Sequence, residues 1–383
     1  MGFYKSAVLG PVIGCGLVVS PMPASALDLT VDSGAASDCS GLPHLQAAAA
    51  AYLEPAPLTT INQYGGNQYV PSSGNNIGVG IGFAEISAAT PWVCIGLLYR
   101  AEFEGTASKD LLDILHANHF GQPFDVGRTY HTWYEAQSLK AEGLRLRRAF
   151  ELGELRGLSF TLGFGASLLE AAQGRQQSLT GSVAATSPTY AVGTATWLRT
   201  DSDLNPNDFN PFVGPGHPTG LGFSTDFELK VASAEGAALD VIVMDAGGRI
   251  YWHGTRNSLL MADNATIRYN SDLNRDAFVT GVDSRIDEVE HIPIKYHVAL
   301  SEPLVAQVSA LLEDDAVNGY HFVSIGARYG SVERHASATF DTRAHAVSIG
   351  GRWRSCYASF TTNRWRPQDA TALGVSLGIG LRW

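Results

Sequence analysis

The stretch "TALGVSLGIGLRW" (residues 371–383) sets the first constraint on the fold. Every second position is apolar, and the positions between are Gly, Ser and one Arg; the apolar set is Leu373, Val375, Leu377, Ile379, Leu381 and Trp383. Because successive side chains of a strand point to opposite faces, this period of two predicts a β-strand with one continuous apolar face. A strand of a soluble sandwich alternates in the same way, so other segments must decide the class.

The same alternation recurs along the chain. It is found in "VCIGLLYRAEF" (93–103), "GLSFTLGFGASL" (157–168), "TGLGFSTDFELKV" (219–231) and "IPIKYHVAL" (292–300), and in the shorter "NIGVGIGF" (76–83), "GLRLRRAFEL" (143–152), "FVSIGARY" (322–329) and "HAVSIGGRW" (345–353). The outward face of a soluble antiparallel sheet is usually rich in Lys, Glu and Thr, whereas here the second face is Gly, Ser, Thr and isolated charges. The pattern therefore favours a transmembrane barrel, with apolar side chains toward lipid, over a secreted soluble β protein.

Strand spans estimated in this way give an all-β, closed antiparallel barrel over residues 76–383, with about sixteen strands and fourteen as the alternative. Closure is required because hydrocarbon cannot satisfy an unpaired strand edge, and an even count returns the chain to the side where it started. The scheme places long outer loops at 201–218 and 246–289, short inner turns at "SAEG", "SE", "GS" and "RS", and a helix-like inner connection at 105–125.

The N-terminal segment does not alternate. Residues 1–26 have a basic start, the apolar run Ala7 to Val19 and a small-x-small end, which predicts a cleaved signal peptide. A lipoprotein signal ending at Cys15 is the alternative. Residues 27–75 are interpreted as a plug, a periplasmic segment or a loose tether, with a helix-like piece at "LPHLQAAAAAYL" (42–53). Three cysteines would remain after cleavage, and this odd count argues against a disulfide framework.

These features together resemble the bacterial outer-membrane β-barrel proteins, of porin-like or fatty-acid-channel-like type. The resemblance implies location in the outer membrane, contact with its lipid, and a last strand read by the barrel-insertion machinery. Leu377, Ile379, Leu381 and Trp383 would carry that assembly signal. "VIVMDAGGRIYW" (241–252) resembles segments of fatty-acid-channel-like and conjugation-associated barrels, but the resemblance assigns no functional residue.

Charged residues on the predicted lumen face are the main functional candidates. They are Arg100, Glu102, Arg145, Arg147, Asp226, Glu228, Lys295, Arg328 and Arg352. In a wet lumen such charges select permeants by charge and size, which predicts a passive channel or transporter for small solutes. The alternative is a set of ion pairs inside a filled, non-conducting barrel that anchors or exports an envelope partner. A net charge of −11 argues against nucleic acid as a partner, and we expect no cofactor.

Two weaker motifs point to other chemistry. His335 and Ser337 lie two residues apart, as in outer-membrane lipid hydrolases, but their register places them toward the lumen, so we expect no enzyme. Asp272, Asn274, Asp276, Thr280 and Asp283 have the spacing of a calcium loop. Ala277 replaces the required glycine, so we favour a solvated acidic loop and no metal.

Overall fold

The computed structural model describes residues 44–56, 58, 69–90, 92–120, 122–201, 219–268, 275–276, 279–331, 334–354 and 356–380. Within these ranges the chain forms one helix, α1 (Lys109–Phe120), and seventeen strands. The strands are β1 (His44–Leu53), β2 (Asn75–Ala89), β3 (Cys94–Ser108), β4 (Thr129–Leu155), β5 (Leu158–Ser187), β6 (Tyr190–Asp201), β7 (Thr219–Ser233), β8 (Ala238–Arg268), β9 (Arg275–Asp276), β10 (Val279–His291), β11 (Lys295–Val305), β12 (Val308–Val317), β13 (Tyr320–Gly330), β14 (Arg334–Asp341), β15 (Ala346–Trp353), β16 (Cys356–Thr362) and β17 (Ala372–Gly380).

Fourteen of these strands close into an antiparallel barrel. The wall runs β1-β2-β3-β4-β5-β7-β8 and continues β11-β12-β13-β14-β15-β16-β17, and β17 pairs along the whole of β1. The count is the lower of the two that the sequence allowed. Closure leaves the wall with no free edge, as a barrel in lipid requires.

The longest strands continue beyond the barrel as a sheet that we call the extension. There the second half of β5 pairs with β6, β6 pairs with the second half of β8, and β8 pairs with β10. β6 thus lies in line with β7, and β10 lies in line with β11. Helix α1 packs on this sheet, with Leu111 and Leu115 buried against Tyr134 and Trp197.

The two ends of the barrel differ in their connections. At one end only two to four residues separate consecutive strands, at 90–93, 156–157, 234–237, 306–307, 331–333 and 354–355, while the other end carries α1, the extension and the longer connections 54–74 and 363–371. Arg156 and Gly157 both have positive φ, as a two-residue hairpin turn requires. Short turns mark the periplasmic end of a bacterial barrel, so this is the inner end and the other is the outer end. "SAEG", "GS" and "RS" fall at inner turns as predicted, but the predicted turn "SE" is at 306–307 instead.

β1 corrects the N-terminal prediction. Residues 44–53 form a barrel strand, not a helix, a plug or a tether. Five consecutive alanines favour a helix in isolation, but here β17 and β2 supply hydrogen-bonding partners on both sides, and tertiary pairing overrides propensity. The predicted signal peptide and residues 27–43 lie outside the described residues. Cys94 is disulfide-bonded, so the inference drawn from the odd cysteine count was wrong at that position.

Missing β1 also inverted part of the predicted topology. With one more strand ahead of it, β2 runs inward and β3 outward, so the 105–125 connection and its helix lie at the outer end, not the inner end. The estimated strand spans divided residues 126–153 and 157–186 into two strands each, but β4 and β5 run through these regions as single strands. Most of the predicted loop 246–289 is strand, in β8 and β10.

The outside of the barrel is apolar on every strand of the wall. Exposed side chains include Leu97, Leu146, Phe164, Phe227, Val298, Ile325, Ile349, Phe360, Leu377 and Ile379, as their alternation predicted. This belt ends on the outer side at a row of exposed charges, Glu142, Glu170 and Arg249. β2 is the exception to the predicted facing: Ile77, Val79, Ile81 and Phe83 are buried in the lumen, and Gly78, Gly80 and Gly82 are on the other face.

Candidate functional site

A buried group of ion pairs fills the middle of the lumen. Arg100 donates hydrogen bonds of 2.8 and 2.7 Å to the two carboxylate oxygens of Asp245. Lys295 Nζ donates to Asp245 at 2.6 Å and to Glu102 at 3.0 Å, and Arg100 also bonds Glu102. Three of these four side chains are less than 5% exposed, and Glu102 is 11% exposed. Since Glu102 and Lys295 stand on strands separated by four others, the pairs join different sides of the wall.

A second group lies next to the first. Arg145 donates to Asp226 at 2.6 Å and to Glu85 at 3.4 Å, and Arg147 also bonds Glu85, which is fully buried. The backbone N–H of Asp245 donates to Asp226 at 3.1 Å and links the two groups. We call these eight residues the charge network: Arg100, Glu102, Asp245, Lys295, Asp226, Arg145, Glu85 and Arg147. Its four cations and four carboxylates balance, which suits a dehydrated interior.

Asp245 occupies an unusual backbone position. Its φ is 58°, in the left-handed region that a non-glycine residue seldom adopts, and the β7–β8 ladder is irregular beside it. The two cations that bind its carboxylate fix this conformation. Asp245 was not among the predicted lumen charges; it lies directly before the predicted loop 246–289.

Glu85 was also missed, although the sequence held a signal for it. It shares one face of β2 with Ile81 and Phe83. A carboxylate on a lipid face is costly, so its presence there should have assigned this apolar face to the lumen.

Apolar contacts close the lumen on the outer side of the network. Ile77, Val79 and Ile81 of β2 pack with Ile242 and Met244 of β8 and with Val317 and Phe322 of β12 and β13. The ring of Tyr52 lies 5.5 Å from that of Phe322, edge to face. Five strands separate β2 from β13 along the wall, so these contacts bring opposite walls together. We call this cluster the constriction.

A cavity of about 290 Å³ lies at the outer end of the lumen, between the constriction and the extension. Its lining is rich in amides, hydroxyls and carboxylates; the polar side chains are Glu104, Thr106, Glu135, Gln137, Gln176, Gln177, Ser178, Thr200, Asn318 and Tyr320. The lining contains no Lys or Arg within the described ranges. A second cavity of about 20 Å³ shares Val79, Glu104 and Gln137 with the first and reaches Glu102 and Lys295. We call the larger cavity the vestibule; the smaller one connects it to the charge network.

Carboxylates at the outer end are held in weakly solvated surroundings. Burial raises the pKa of Glu104 to about 7, although nearby Lys295 opposes the shift. Burial likewise raises the pKa of Glu290, in the extension, to about 7, although it accepts hydrogen bonds from Trp252 at 2.6 Å and Gln137 at 2.9 Å. Both lie beyond the charged row that ends the apolar belt.

The other predicted lumen charges lie apart from the network. Glu228 is buried and pairs with Lys230 at 2.7 Å. Arg328 donates to Ser301 at 2.9 Å, and the Arg352 guanidinium lies 5.9 Å from the centroid of the Tyr357 ring. The structure therefore groups six of the nine predicted charges and adds Asp245 and Glu85.

The weaker motifs form no constellation among the described residues. His335 and Ser337 are half-buried on the lumen face of β14, as their register predicted, and His335 Nδ1 lies 3.2 Å from the Ser331 carbonyl. Asp283 lies in β10, bound to Arg256 and Ser258, while Asp272 and Asn274 lie outside the described residues and no side chain is described for Asp276. In the described part of the chain no group of three or more His, Cys, Asp and Glu could hold a metal ion.

The closed antiparallel wall, the apolar belt around it and the short turns at one end define the class: this is an outer-membrane β-barrel protein. Of the assembly signal, Leu377 and Ile379 face outward on β17, and Leu381 and Trp383 lie outside the described residues. Among the described residues no helix is long and apolar enough to cross a membrane.

Comparison with known proteins finds similar solved structures only. The TodX deltaS2S3 mutant, a monoaromatic hydrocarbon channel, is 10% identical, with 90% of each chain covered and a TM-score of 0.42. The deltaS2 mutant of TodX is 10% identical, with 89% of this chain and 90% of that chain covered and a TM-score of 0.37. The translocator domain of NalP from Neisseria meningitidis is 11% identical, with 92% of each chain covered and a TM-score of 0.15. No protein-family model and no curated protein matches the chain.

Proposed function

We propose that this protein is an outer-membrane channel for small solutes, closed in the conformation described here. The observation that carries the proposal is the pair of adjoining cavities that leads from the outer end of the lumen to Glu102 and Lys295. A barrel that only anchors a partner has no need of a polar cavity that continues into its interior.

The vestibule determines which solutes enter first. Its charged side chains are Glu104 and Glu135, and its amides and hydroxyls offer hydrogen bonds in both directions. Neutral polar and cationic solutes therefore enter more readily than anions, because a carboxylate-lined cavity repels negative charge.

The constriction then limits passage. Opposite walls touch there, so a permeant must separate Ile81 and Val79 from the side chains of β8 and β13. Because the four cations and four carboxylates of the charge network balance, the closed form is stable without a bound ion.

Planar-bilayer conductance of the purified mature protein tests the proposal. We expect small, cation-preferring steps from the natural protein and larger steps from Ile81→Ala, which shortens a side chain in the constriction. Val241→Ala is the matched control, because Val241 is next to buried Ile242 on β8 and its side chain points to the opposite face of the strand.

The same recordings separate the two functional classes. If folded natural protein, Ile81→Ala and a protein lacking residues 27–43 all stay silent, the channel is contradicted. The barrel is then a non-conducting envelope protein, and a lumen filled with ion pairs is consistent with that role. A preference for cations that persists in Glu104→Gln/Glu135→Gln would contradict the role given to the vestibule.

A further inference from the structure

The connection between β16 and β17 presents an unusual side-chain sequence at the outer end of the barrel. Trp365 is 101% exposed, so it makes essentially no contact with the protein. Arg364 and Arg366 flank it, and both are exposed. A large aromatic side chain fully in water is unfavourable unless it has another environment to enter.

The backbone that carries these three residues is well fixed. The Asn363 side chain donates to the Ala344 carbonyl at 3.1 Å and accepts from the Thr371 N–H at 3.1 Å, which closes the base of the connection. A short 3-10 turn at Pro367–Asp369 follows, and the Asp369 N–H donates to the Arg366 carbonyl at 2.9 Å. Trp365 is therefore held away from the barrel by the fold itself.

The position along the barrel matches the edge of the bilayer. Phe360 is exposed in the apolar belt on β16, and Thr362, two residues later, ends the strand. Trp365 follows three residues beyond. Tryptophan is enriched at this level in membrane proteins because its ring is apolar and its N–H is polar.

The local charge is positive although the whole chain is acidic. The 363–371 connection holds two cations, Arg364 and Arg366, and one carboxylate, Asp369, and in the described part of the chain neither arginine forms an ion pair. Two guanidinium groups on either side of an indole fit the phosphate groups of a lipid, since guanidinium binds phosphate through paired hydrogen bonds.

We propose that Arg364, Trp365 and Arg366 form a binding site for a phosphorylated glycolipid of the outer leaflet. The arginines bind its phosphate groups, and the indole enters the interface beside its acyl chains. This site is independent of conduction through the lumen.

Native mass spectrometry of the detergent-solubilised mature protein tests the site, with bisphosphorylated lipid A, its dephosphorylated form and phosphatidylglycerol as probes. We expect retention of bisphosphorylated lipid A, and an affinity lower by about tenfold or more in Arg364→Gln/Arg366→Gln, because each arginine near an anionic headgroup adds to binding. Trp365→Ser should also weaken it. Arg156→Gln is the matched control, since Arg156 is an exposed cation in a turn at the inner end.

Heat-modifiable migration on gels shows that each variant is folded before binding is compared. Equal binding of lipid A to the natural protein and the double arginine variant would overturn the proposal. Equal retention of dephosphorylated lipid A or of phosphatidylglycerol would overturn the assignment to a phosphorylated glycolipid.

Discussion

Arg100 on β3 and Asp245 on β8 share two hydrogen bonds, of 2.8 and 2.7 Å, although three strands of the barrel wall stand between them. A pair of this kind holds the lumen closed at mid-height. It also fixes Asp245 in its left-handed conformation, so charge pairing and backbone geometry depend on each other.

Asp245→Asn should destabilise the folded barrel strongly. The change leaves Arg100 and Lys295 buried without one of their counter-charges, and breaking a buried ion pair costs about 3–5 kcal/mol. The measurement is the urea concentration at which heat-modifiable migration is lost. Asp314→Asn is the control, because Asp314 pairs with the exposed His321 on the surface and should change the midpoint little. Equal midpoints for the two variants would mean that the network does not stabilise the barrel.

The extension should lose stability as the pH rises. Burial raises the pKa of Glu290 to about 7 from 4.5, so the folded protein holds a proton that the unfolded chain has released. The stabilisation is complete below about pH 4.5 and is lost as the pH rises through about 7, with a total of about 3 kcal/mol. Hydrogen exchange of the β10 amides at pH 5 and pH 8 measures it, after correction for the intrinsic exchange rate.

Glu290→Gln should remove that pH dependence, because glutamine does not titrate and can still accept a bond from Trp252. Glu302→Gln, at an exposed position on β11, should leave it unchanged. A pH dependence that survives Glu290→Gln would assign the effect to another group.

Leu97→Arg should block stable membrane assembly, while Val282→Arg should not. Both side chains are 64% exposed, but Leu97 lies in the apolar belt and Val282 lies on β10 in the extension. Arginine on the lipid face costs about 2–4 kcal/mol near the bilayer midplane. Recovery in urea-washed membranes measures assembly, and equal recovery of the two variants would refute the placement of the belt.

Trp383→Ala should impair assembly more than Trp365→Ala does. The first change removes the terminal aromatic residue of the predicted assembly signal, whereas the second removes an exposed side chain of an outer connection. The fraction of folded protein in the membrane after expression is the readout. Equal fractions would show that Trp383 has no special role in insertion.

Much of the fold could be predicted because alternation of side chains is a local property of a strand. Leu97, Ile325 and Leu377 face outward as their spacing indicated. Arg100 and Lys295 face inward for the same reason, since neither charge is tolerated on a lipid face.

β1 and β2 show where local pattern stops being sufficient. The alanines of β1 carry no preference strong enough to resist pairing with β17 on one side and β2 on the other. The alternation in β2 shows that the two faces of the strand differ, but it does not show which face meets the lipid. Ile77 and Ile81 face inward because the opposite walls touch there, and that contact joins residues far apart in the chain.

The sequence by itself determined a closed membrane barrel, an even strand count and the identity of six network charges, because each follows from side-chain period and the cost of exposing polar groups to lipid. Only the tertiary structure decided that the lumen is closed. Closure depends on which inward side chains meet across the barrel, such as Arg100 with Asp245. The distance between two such side chains is set by strand register and wall curvature, not by the residues next to them in the chain.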